Sequence, residues 1–130
     1  MKPFQLHIVL RHKTRLEQEA AAHLAKAISE ENDVRQQLSQ TEKALNQLLQ
    51  DISRLQEQGI EIEQLIRYCD HVDSVQLIRK QQQELLLEKS QTTHKRRQHL
   101  ITKSKEKKAL ESLKERQDQE WKLYQDKQEA

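Results

Sequence analysis

A heptad stripe of apolar residues ends on the only glycine of the chain, Gly59, close to the midpoint of 130 residues. Val34, Leu38, Thr41, Leu45, Leu48, Ile52 and Leu55 recur at spacings of four and three, and the same phase carries back through Ala27, Leu24, Ala20, Leu10 and Leu6. That spacing keeps one narrow stripe on one helix face, and such a stripe is stable only when a second helix covers it. Gly59 can take the left-handed conformation that closes a helix without a Cβ penalty. Glu61 and Glu63 then stand where anionic side chains favour the start of a new helix. The competing reading is a tolerated surface glycine inside one straight rod. The fold expected is all-α, a long antiparallel two-helix coiled-coil hairpin. It forms a single domain, 1–130, with helix 1 over about 3–57, a turn at about 57–61 and helix 2 over about 61–128.

A turn centred near residue 60 makes facing residues add to about 120. Leu55 then faces Leu65, Ile52 faces Tyr68, Leu48 faces Val72 and Leu45 faces Val75. Farther from the turn, Val34 faces Leu86, Ala20 faces Leu100 and Leu10 faces Leu110. Two acids intruding in the stripe find bases opposite, Glu17 with Lys103 and Glu31 with Lys89, while Lys13 facing Lys107 is a misfit. One register that satisfies both apolar layers and ion pairs is the consistency a specified fold displays.

Composition excludes most alternatives. One Gly, one Pro and four aromatics leave too few turn formers for a sheet protein, and 34% apolar content supplies a stripe and no thick core. The single Cys69 forms no internal disulfide. No apolar run approaches the roughly 20 residues of a membrane span. The opening MKPFQLHIVLRHK has too short an apolar run, and no small-residue cleavage site, for a signal peptide. A cytoplasmic protein is expected.

No catalytic or cofactor chemistry is legible. One glycine provides no phosphate-cradling loop, dinucleotide turn or nucleophile elbow. Cys69 has only His71 nearby, two residues along and on a different face. His7 with His12, and His94 with His99, are five apart, where a metal pair on one helix face needs three or four. No metal, cofactor, catalytic residue or small-molecule ligand is expected, and the protein is not expected to be an enzyme.

Helix 2 carries more apolar residues than one partner helix covers. Ile62, Ile66 and Cys69 fall on one flank of its stripe, and His71, Ile78 and Leu85 on the other. Such a surplus awaits a partner protein, unless a break at Asp73-Ser74-Val75-Gln76 folds a short third helix back over it. From Glu88 to Lys108 the chain turns basic, with Lys89, Lys95, Arg96, Arg97, Lys103, Lys105, Lys107 and Lys108. Without interleaved aromatics to stack on bases, this stretch is a solvated, cross-paired face and no nucleic-acid site. It also makes the middle of the hairpin its softest part. The end recovers a stripe at Leu110, Leu113 and Gln117, then overhangs helix 1 with Trp121, Leu123 and Tyr124.

Three stretches resemble the FliJ family, the small coiled-coil component of the flagellar type III export apparatus. They are FQLHIVLRHKTRLEQEAAAHLAKA at 4–27, GIEIEQLIRY at 59–68 and KEKKALESLKERQDQEW at 105–121. The injectisome stalk proteins of the YscO type share this character, so a virulence-secretion stalk is the alternative, followed by a generic coiled-coil tether or chaperone. The resemblance implies a non-catalytic central stalk in the pore of the export ATPase hexamer. It also implies contact with the cytoplasmic domain of the export gate membrane protein and help in recycling export chaperones. The protein would then be cytoplasmic and held peripherally at the inner membrane through its partners. Positions matching the gate-contacting patch are His71, Val75, Ile78 and Gln82, with His71 standing where a bulky apolar residue is expected. The ATPase ring would receive the end holding both termini, through Phe4, Leu6, Leu10, Leu110, Leu113, Trp121 and Tyr124.

Overall fold

The computed structural model of the chain describes residues 3–129, with side chains from Gln5 onward. Two helices, α1 (Pro3–Gln58) and α2 (Ile62–Glu129), account for nearly all of it, and there is no strand among the described residues. They pack against each other as a hairpin. The ion pairs fix its sense: Glu30 of α1 meets Lys89 of α2, and Lys13 meets Glu106, so partner numbers fall as α1 numbers rise. The helices are antiparallel. Both of these pairs have numbers adding to 119, close to the register expected from the apolar stripe.

The turn is built as its residues dictate. Gly59 has φ +90°, and a Cβ built there meets nothing within 4 Å. The backbone conformation, and not space, is therefore what demands glycine. Its N–H donates to the Gln56 carbonyl at 3.4 Å, one of the acceptors left open at the end of α1. The Glu61 carbonyl accepts the Leu65 N–H at 3.0 Å, the first bond of α2, and Glu63 follows in its first turn, facing the positive end of the helix dipole. A straight rod is excluded. α2 also runs unbroken through Asp73-Ser74-Val75-Gln76. There the Ser74 hydroxyl donates back to the Asp70 carbonyl at 3.1 Å and caps nothing.

Packing divides the chain into two compact units, each made from a segment of both helices. The turn unit is Ala27–Thr92. On α1 its seam comprises buried Ala27, Val34 and Leu45, with Leu38, Leu48, Ile52 and Leu55 half-buried. From α2 come Leu65, Tyr68, Val72, Val75, Arg79, Gln82, Leu86 and Lys89, all half-buried and all in one heptad phase. Arg79 and Gln82 are the departure from sequence expectation: the heptad continues through them although they are polar.

The terminal unit is Met1–Lys26 with Thr93–Ala130. Leu6 is fully buried and Ala20 nearly so, with Leu10, Leu16 and Leu24 half-buried beside them. Facing them, α2 offers Thr93 (3% exposed), Leu100 and Leu110, interrupted at heptad positions by Lys103, Lys107 and Lys114. Among the described residues, buried apolar side chains number only Leu6, Ala20, Ala27, Val34 and Leu45. Stability is consequently distributed over many half-buried layers, each contributing a fraction of the roughly 1.5–3 kcal/mol of a fully buried aliphatic side chain.

The ion pairs correct the sequence reading in detail. Glu17 pairs with Lys107 at 3.1 Å and not with Lys103, which lies 3.6 Å from Glu106 on its own helix. Lys89 pairs with Glu30 at 3.2 Å and not with Glu31, which takes Arg35 one turn along α1 at 3.1 Å. The misfit of Lys13 with Lys107 does not arise, because Lys13 turns to Glu106 at 3.0 Å and Lys107 to Glu17. A four-carbon stem lets an ammonium reach a turn away from its own layer, so charge finds charge off the strict register.

Candidate interaction surfaces

The surface open to a partner is what the seam leaves uncovered. In the turn unit, the four positions matched to a gate-contacting patch divide by heptad phase. Val75 and Gln82 are half-buried in the seam, whereas His71 and Ile78 are exposed on its flank, Ile78 at 47%. His71, Ile78 and Leu85 are seven residues apart and form one exposed strip. The Gln82 Oε1 and Arg79 Nε atoms are buried without a protein hydrogen-bond partner.

On the other flank Ile62 and Ile66 are exposed together with Cys69, and Leu49 of α1 is 45% exposed. Two further exposed residues, Leu77 and Leu87, were not singled out from the sequence. They lie on the side of α2 turned away from α1, where sequence periodicity alone gives no reason to expect apolar residues.

In the terminal unit, Phe4 lies outside the residues whose side chains are described. Leu6 is fully buried and Leu10 and Leu110 are half-buried, so all three serve the seam. Leu113 is 37% exposed at the seam's edge, because Lys114 and Gln117 hold the heptad positions there. Trp121 and Tyr124 are exposed and stacked, their rings 5.7 Å apart at 25°, and with Gln117, Asp118 and Glu120 they line a shallow open groove. Leu123 and Ile8 are exposed as well. Four of the matched residues are thus mainly structural or edge-placed, and the aromatic pair is free to meet a partner.

Charges in this unit are tuned by their neighbours across the seam. The Ser104 hydroxyl and Lys107 ammonium hold the Glu17 carboxyl below its ordinary value. Lys13 does the same for Glu106, and Glu17 raises Lys107. Among the described residues, no group of three or more His, Cys, Asp or Glu side chains is placed to hold a metal ion. No described helix is long and apolar enough to cross a membrane.

Compared with known proteins, residues 1–130 match the model of the family described as Flagellar FliJ protein. No curated protein and no solved structure matches the chain.

Proposed function

The chain belongs to the FliJ family of flagellar proteins, and from that membership we propose that it is a non-catalytic stalk coupling the flagellar export ATPase ring to the export gate. Residues near the turn meet the gate and residues near the termini meet the ATPase. The observation that carries this reading is the distribution of exposed apolar side chains on an otherwise charged hairpin. Ile62, Ile66, Ile78 and Leu85 stay uncovered in the turn unit, and Trp121, Leu123 and Tyr124 in the terminal unit. Exposed apolar groups of this kind mark protein contacts, and a connector needs two.

Assistance to export chaperones, and a peripheral position at the cytoplasmic face of the membrane, follow from the same role, since the gate partner is itself a membrane protein. Within the matched patch, Ile78 and His71 make the contact while Val75 and Gln82 hold the seam that presents them. On this reading, any nucleotide hydrolysis is the partner's.

The test is a pair of binding assays on purified, helical variants. Ile78→Asp removes gate binding and leaves ATPase association intact. Trp121→Ala with Tyr124→Ala weakens ATPase association and stimulation and leaves gate binding intact. Loss of both interactions in either variant, with helicity preserved, overturns the division of labour.

A further inference from the structure

Within the turn unit, the side of α2 turned away from α1 carries a second stripe in heptad spacing. It runs Asp73, Leu77, Lys80, Glu84, Leu87 and Gln91, all inside Ala27–Thr92, and every one of these side chains is exposed. Leu77 is 57% exposed and Leu87 62%. Lys80 and Glu84 stand one turn apart with the base ahead of the acid, the weaker order for a pair along one helix. Neither forms an ion pair among the described residues.

The stripe is complementary to its own reverse. Antiparallel pairing with residue numbers adding to 164 sets Leu77 of one copy against Leu87 of the other and Lys80 against Glu84, and it ends with Asp73 against Gln91. Exchanging the copies repeats each pair, so two leucine layers enclose two ion pairs about a two-fold axis, as an isologous interface requires. The positions flanking the stripe are uncharged except for Glu88, which meets Ser74, so no like charges are brought together. Other registers fail. A shift of one heptad sets Leu77 against Lys80 and Asp73 against Glu84, and the opposite shift sets Glu84 against Leu87. Parallel pairing in register sets Lys80 against Lys80 and Glu84 against Glu84.

We propose that this face of the turn unit, residues 73–91, pairs antiparallel with the same face of a second copy of the chain. The two Leu77–Leu87 contacts supply burial, and the two Lys80–Glu84 pairs choose partner, orientation and register. Ile78 follows Leu77 by about 100° around α2. The strip of His71, Ile78 and Leu85 therefore lies off this face and stays open to its own partner.

Sedimentation equilibrium of the full chain tests the proposal, under reducing conditions so that a disulfide between exposed Cys69 thiols is not counted. One helix face from each copy is a smaller contact than the roughly 1,200 Å² of a stable complex, so a dimer exchanging with monomer at about 100 μM chain is expected. Lys80→Glu alone and Glu84→Lys alone each put like charges in contact at both pairs and weaken self-association by about tenfold or more. The double variant Lys80→Glu with Glu84→Lys exchanges the charges and restores the dimer. Mixing the two single variants also restores opposite charges at both pairs, and a heterodimer forms. Leu77→Gln with Leu87→Gln abolishes association. All four positions are exposed, so circular dichroism is expected to show unchanged helicity. A chain that stays monomeric at low salt up to about 1 mM overturns the proposal. So does a dimer indifferent to the single reversals, or one that the charge exchange fails to restore.

Discussion

Leu45 and Leu49 are one helical turn apart, yet Leu45 is 3% exposed and Leu49 is 45% exposed. Truncating each to alanine isolates the seam's contribution. Leu45→Ala withdraws about three methylene equivalents from a dry layer, about 2.4 kcal/mol at roughly 0.8 kcal/mol per buried CH₂. The cavity penalty added to such a loss in a globular core is small here, because a seam one layer thick closes over the gap or admits solvent. The total expected is about 2–3 kcal/mol, the low end of the range for buried Leu→Ala. Leu49→Ala loses roughly half that transfer energy and regains a few tenths of a kcal/mol in helix propensity, leaving a cost under about 1 kcal/mol. Urea unfolding followed by far-ultraviolet circular dichroism measures both. With an m-value of about 2 kcal/mol/M, Leu45→Ala lowers the midpoint by about 1 M or more, and Leu49→Ala by less than half as much. Equal shifts, or a larger shift for Leu49, would refute the seam assignment and with it the heptad phase of α1.

Three further perturbations follow from the turn, the register and the seam charges. Gly59→Ala places an L-residue at φ +90° and is expected to cost about 1–2 kcal/mol in the same unfolding assay, with Gly59→Asn costing less; a neutral Ala variant would mean the turn is not held in that conformation. Leu48→Cys with Val72→Cys, in a Cys69→Ser background, is expected to oxidise to a crosslink within one chain; crosslinks formed only between chains contradict the register. Glu17 and Glu106 are held below the ordinary carboxyl value of 4.5 by Ser104 with Lys107 and by Lys13, so their contribution is whole above that pH and is lost as pH falls through their depressed values. The thermal midpoint should accordingly drop on acidification below about pH 4.5, and Glu17→Gln with Glu106→Gln should remove part of that drop; an unchanged acid profile in the double variant assigns the loss to other groups.

What the sequence made legible was the spacing of apolar residues, and what it hid was the reach of long side chains. Periodicity from Leu6 to Leu55, ended by a lone glycine, favours a hairpin over a straight rod, and the turn at Gly59 decides between them. Charge partners are another matter. Lys103 and Lys107 are both within one turn of Glu17, and Glu30 and Glu31 are adjacent candidates for Lys89. Heptad phase cannot choose between them, because the choice depends on how each stem packs along the seam. The polar seam residues escaped for a related reason. Arg79 and Gln82 sit at heptad positions by continuity of the helix and are half-buried, but a search for apolar residues passes over them. Leu77 and Leu87 went unread for the opposite reason, since both are apolar yet neither belongs to the stripe that faces α1.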